Sequence, residues 1–169
     1  MQEMVIYGVS FDMVGKQPIV LLKTANERRF LPIWIGPGEA AAIMAKLQGS
    51  DPPRPMTHDL LQSVVEALEG SVVKIAVTEL RENTFYAVIT LSTNGSELEI
   101  DSRPSDAIAL TVRVNAPIFV ADEVIEESAI ELENEPEQSE QAMVEEFRQF
   151  LDDVSPEDFL TGREPPGEG

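Results

Sequence analysis

Between residues 3 and 13 (EMVIYGVSFDM) apolar and polar side chains alternate loosely, which is the period of a strand. Residues 17–24 (QPIVLLKT) and 29–35 (RFLPIWI) repeat the pattern after turns at Gly15-Lys16 and Asn26-Glu27. Pro32 has no N–H to give to a ladder, so the third run is expected at a sheet edge or at a bulge. Gly36-Pro37-Gly38 ends the strand pattern. Residues 39–48 (EAAAIMAKLQ) then combine alanines with Ile43 and Leu47 four apart, which predicts a helix stopping at Gly49. Three prolines and a glycine leave residues 49–55 (GSDPPRP) as a loop. Thr57 reads as the cap of a second helix with His58 and Asp59 in its first turn. Leu60, Leu61, Val64, Val65 and Leu68 lie along its apolar face, and Gly70 ends it.

Residues 71–81, 84–92 and 96–101 predict three further strands, with turns at Glu82-Asn83 and Asn94-Gly95, the latter pair being a strong hairpin signal. The alternation of Leu98 and Ile100 breaks at Arg103-Pro104, and Ala107, Ile108, Leu110, Val112 and Val114 follow as a helix-like set. Pro104 suits the first helical position, where its missing N–H would have no partner. A short apolar run at 117–120 and a short helix at 122–128 complete the body.

The two halves match. Pro37-Gly38-Glu39-Ala40 aligns with Pro104-Ser105-Asp106-Ala107 at an offset of 67 residues, and the same shift sets Leu31 on Leu98, Ile33 on Ile100, Ala42 on Ala109 and Ile43 on Leu110. The expectation is one α+β domain over residues 1–130, built from duplicated strand-strand-strand-helix-helix units at about 3–68 and 70–130. These units should form an antiparallel or mixed sheet packed with helices. From residue 131 the composition changes to an acidic linker (ELENEPEQSE). A helical stripe of Met143, Val144, Phe147, Phe150, Leu151 and Val154 follows, then an end (GREPPGEG) with no core-forming residues.

Charge sharpens this division. The formal net charge is −19, and residues 1–121 hold 10 Lys+Arg against 14 Asp+Glu while residues 122–169 hold 2 against 17. Such a surface repels nucleic acid at long range, so substrate binding there would be weak. With no cysteine there is no disulfide, thiolate metal site or Cys nucleophile. No run of 18 apolar residues and no leader pattern is present, so a cytoplasmic protein without a membrane segment is expected. The exposed edges of two half-units and the C-terminal stripe both need cover, which predicts a homo-oligomer, in the first instance a dimer.

The densest polar cluster is the strand-to-helix corner holding Asp101, Ser102, Arg103, Ser105 and Asp106. Asp106 falls in the first helical turn, where a carboxylate meets free N–H groups and the positive end of the dipole, and Arg103 can pair with it. A cap with an ion pair would explain the corner without chemistry. The chemical alternative is that carboxylates converge: Asp101, Asp106 and Glu39 as ligands of Mg²⁺ or Mn²⁺, which prefer oxygen donors and activate water. His58, with Asp59 beside it, is the candidate proton carrier. Arg28-Arg29, Arg54 and Arg103 are the only candidate phosphate-binding groups, with Arg103 the one expected to steady the phosphate, and Ser105 is a further hydroxyl candidate for the catalytic set. Gly36-Pro37-Gly38 lacks the lysine and the spacing of a phosphate-binding loop.

The segments WIGPGEA at 34–40, RPMTHDLL at 54–61 and SRPSDAIALTVR at 102–113, in this order and spacing, resemble the bifunctional nuclease family of bacteria and plants. The resemblance covers roughly residues 1–130. It implies an α+β fold and a nuclease acting on RNA and DNA with little base preference, and it directs attention to Glu39, His58, Asp59, Arg103, Ser105 and Asp106. The rival expectation, favoured by the charge, is a non-catalytic regulatory or scaffolding domain that binds a protein partner or a small anion.

Overall fold

The computed structural model describes residues 1–12, 14–25 and 28–131. The Asn26-Glu27 turn and everything from Leu132 onward, including the acidic linker and the helical stripe, lie outside the described residues.

Three antiparallel strands open the chain: β1 (Gln2–Phe11), β2 (Pro18–Thr24) and β3 (Arg29–Trp34). Helices α1 (Pro37–Leu47) and α2 (Thr57–Ala67) follow. A second antiparallel meander comprises β4 (Gly70–Arg81), β5 (Thr84–Thr93) and β6 (Ser96–Ser102). Both of its hairpins turn in two residues with positive φ, Glu82 (47°) with Asn83 (60°) and Asn94 (49°) with Gly95 (76°), the twist that matches paired strands. Then come α3 (Pro104–Val114), β7 (Ile118–Val120), α4 (Asp122–Ser128) and β8 (Ile130–Glu131).

All eight strands form one mixed sheet in the order β6-β5-β4-β7-β1-β2-β3-β8. The second half therefore differs from the first by one strand, since β7 separates its two helices. That strand joins the halves, running parallel to β4 and antiparallel to β1. Pro32 lies on β3 beyond its two-residue pairing with β8, so its missing N–H faces an open edge. β8 is too short to carry a period of its own and was not expected.

Strand register places the core. Residues directly opposite one another share a face, and the series Met4, Ile118, Ile75, Ile89 and the series Val9, Val20, Ile33 run across the side that the helices cover. These side chains join Ile43, Ile108, Leu110, Val124 and Ile125 in one buried cluster. α3 lies deepest: Ala107, Ile108, Ala109, Leu110 and Thr111 are all buried, the alanines allowing α1 to approach closely. No described helix is long and apolar enough to cross a membrane.

α2 is the exception. An apolar helical stripe ordinarily faces the core, yet Leu60 is 56% exposed, Val64 45% and Leu68 70%, while the one buried residue of the helix is His58. The helix is turned with its polar side inward.

Candidate active site

Three helices begin alike, each with an acid at the third position of its first turn: Glu39 in α1, Asp59 in α2 and Asp106 in α3. A carboxylate there meets the unpaired N–H groups and the positive end of the helix dipole. Each acid also reaches a partner on another element or at its own cap. Arg103, the residue preceding α3, donates from Nε to Asp106 Oδ2 at 2.8 Å and from Nη2 to Asp106 Oδ1 at 3.1 Å. Its Nη1 lies 2.9 Å from Glu39 Oε1, so one guanidinium ties the first turns of α1 and α3 together. Gly36 makes room for this: a Cβ there would stand 2.2 Å from Glu39 Oε2.

From α2, His58 Nε2 approaches Asp106 Oδ1 at 3.0 Å. Burial pushes the Asp106 carboxyl up, but the hydrogen bonds and charges of Arg103 and His58 outweigh it and hold the group below the ordinary value of 3.8. Asp106 is therefore a carboxylate at neutral pH and can only accept. His58 must carry its proton on Nε2, which leaves Nδ1 as the atom able to take one. The pairing with Asp106 in turn raises the pKa of Arg103 against a smaller opposing effect of burial. The result is a continuous chain, His58–Asp106–Arg103–Glu39, with the Arg103 side chain 64% exposed at its centre.

Asp59 does not join it. Its Oδ2 accepts from the Met56 N–H at 2.9 Å and so caps α2, the role the sequence suggests for Thr57, which is instead the first helical residue. Its Oδ1 accepts from Arg113 Nε at 2.6 Å. The Met56 N–H is the main reason its carboxyl is held below 3.8, with Arg113 and Lys46 adding to it against burial. Arg113 lies on α3 with its side chain 2% exposed, and it also donates to the Ala109 carbonyl at 2.7 Å and the Ala42 carbonyl at 3.3 Å. It pins α1, α2 and α3 at one point. Sequence reasoning passed over it, although a lone arginine inside the apolar run IALTVRV was the available signal.

Of the expected metal set, the structure brings Asp106 and Glu39 to one point and leaves Asp101 apart. Asp101 stands opposite Val88 on the sheet face away from the helices, whereas Ile100 and Ser102 share the helix side. Between Glu39 and Asp106 the place for a cation is taken by the Arg103 guanidinium. Among the described residues no three His, Asp or Glu side chains gather as a metal-binding group, so these residues do not fit a carboxylate-held Mg²⁺ or Mn²⁺. Ser105 is buried at the second position of α3, behind the exposed edge of the cluster. A separate cavity of about 300 Å³ adjoins the Asp59–Arg113 pair and is lined by Lys46, Asp51, Gln62 and Ser63 among others.

Two kinds of relative share this chain's pattern. An uncharacterised protein of Mycobacterium tuberculosis (strain ATCC 25618 / H37Rv) is 39% identical over 164 residues, spanning 94% of this chain and 98% of its own. Bifunctional nuclease 1 of Oryza sativa subsp. japonica is 28% identical over 112 residues, and that of Arabidopsis thaliana 29%. Each match spans 64% of this chain and 34% of the plant protein. The sequence model of the bifunctional nuclease domain matches residues 20–133, a span that takes in α1, α2, α3 and every member of the His58–Asp106–Arg103–Glu39 chain, and this protein belongs to that family.

Proposed function

We propose that this protein is a nuclease that hydrolyses phosphodiester bonds of RNA and DNA with little base preference, working at the His58–Asp106–Arg103–Glu39 chain. The observation that carries the proposal is the way Arg103 is held. Of its five N–H groups three are spent on Asp106 and Glu39, and two remain to grip a phosphate oxygen without leaving the carboxylates. A backbone phosphate is common to RNA and DNA and to every base, so a contact of this kind selects the ester and ignores the sequence. Asp106 fixes the His58 ring and tautomer, and Nδ1 then takes the proton of the attacking water as its oxygen bonds to phosphorus and the P–O bond to the leaving sugar oxygen breaks. The same proton then passes to that oxygen. Glu39 keeps the guanidinium from swinging away from the position where negative charge grows.

The test is cleavage of single-stranded RNA and DNA by the purified full chain, with Mg²⁺, Mn²⁺ or EDTA, beside Asp106→Ala and His58→Ala. Cleavage should fall by about 10²- to 10⁴-fold in both variants, the range for losing a positioned proton carrier. Equal cleavage by all three proteins would overturn the proposal, and activity surviving in EDTA would agree with the poor fit of a metal to these acids. The second reading, a regulatory domain that binds a protein or small anion, draws support from the −19 charge. It predicts anion binding at Arg103 with no turnover.

A further inference from the structure

We propose that two copies of this chain associate through the outward face of α2, extended by the exposed row on β6. An amphipathic helix turned inside out leaves a surface that water does not favour. Leu60, Leu61, Val64 and Leu68 form one continuous stripe over the length of α2, and Leu98 and Ile100 are exposed on the helix side of the edge strand. The two are linked through the sheet, since Leu98 stands opposite Leu91, Leu91 opposite Val72, and Val72 lines the same 320 Å³ cavity as Val65 of α2. These six side chains, each between 38% and 70% exposed, together with a polar rim are on the scale of the roughly 800 Å² per partner that a specific dimer buries.

Charge identifies the occupant. Among the six apolar side chains of the patch none is charged, whereas the chain as a whole carries −19, so this is the place where two like-charged copies can meet with least opposition, confined to Glu66 and Glu69 at the rim. The chain's own C-terminal stripe fits less well: residues 132–169 hold twelve Asp+Glu against two Arg, a denser acidic load than the Glu66 and Glu69 that a second copy brings to the rim. Edge-to-edge pairing of β6 with a second β6 is opposed too, because Glu97, Glu99 and Asp101 would face their own kind across the seam. A two-fold contact of helix on helix, centred near Val64, is what remains. It would press α2 against its own domain and hold His58, in the first turn of that helix, on Asp106.

The full chain has no cysteine, so a single introduced one reports the contact. Light scattering on the purified full chain should give twice 18.6 kDa, and Val64→Cys should form a covalent dimer under mild oxidation while Trp34→Cys, on the other sheet face and 51% exposed, should not. The double variant Leu60→Glu/Val64→Glu should weaken association by about 100-fold or more, since a two-fold axis counts each change twice. Its circular dichroism should be unchanged, because both positions are exposed. A monomer at high concentration would overturn the proposal, as would a dimer that survives the double variant or cross-links equally through residue 34. None of these measurements depends on nuclease activity.

Discussion

α2 and α3 are both eleven residues long and are tied to each other by two side-chain pairs, His58 with Asp106 and Asp59 with Arg113, yet they are held in opposite ways. α3 is buried along most of its length and is fixed by packing. α2 buries only His58, and it is held to the domain by His58 on Asp106 and Asp59 on Arg113. A stripe of leucines and valines states that a helix has an apolar side. It does not state whether the cover comes from the same chain. Small residues decide the matter here: Ala107 and Ala109 let α3 pack closely against α1 and the sheet, and α2 takes the place on its other side with its polar side inward.

The contrast can be broken most sharply at Arg113. Arg113→Ala removes the one cation that binds all three helices and leaves Asp59 and the Ala42 and Ala109 carbonyls without it, so a loss of about 3–5 kcal/mol in chemical denaturation is expected. Leucine truncation in the two helices should then separate them. Leu110→Ala, in a site 1% exposed, should cost about 2–5 kcal/mol, whereas Leu60→Ala in dilute protein should stay within about 0.5 kcal/mol. Equal costs would mean that α2 is as firmly packed as α3.

Acid gives the smallest effect and the finest distinction. Asp59 and Asp106 both titrate below 3.8 in the folded chain, so the unfolded chain binds their protons first as the pH drops. The stability they add is whole above that value and is lost as the pH falls through the lowered folded-state values. Acid unfolding followed by circular dichroism should therefore show a shallower acid limb in Asp59→Asn and in Asp106→Asn than in the parent protein.

Much of this was legible in the sequence where chemistry is local. Asn94-Gly95 and Glu82-Asn83 marked their turns, Pro104 marked the start of α3, and the match of Glu39 with Asp106 anticipated two equivalent first turns. What escaped was long-range. The Asp59–Arg113 pair spans 54 residues and has no local signature, and β8 exists only because β3 is there to pair with it. For Asp101, which lies apart from Glu39 and Asp106, the signal was present. Strand alternation through Leu98 and Ile100 already sent it to the opposite face from the residues that lead into α3.

Among the described residues, Ile118 to Val120, extended by the Pro117 carbonyl and the Ala121 N–H, form the backbone seam between the two meanders of the sheet. As the polypeptide emerges from the ribosome, its first strand must wait for more than a hundred residues before its inner neighbour exists. Neither meander can be zipped to the other until that late tripeptide arrives. Joining of the two halves is accordingly a late event in the making of this domain, and a chain arrested short of residue 118 would lack the strand that joins them.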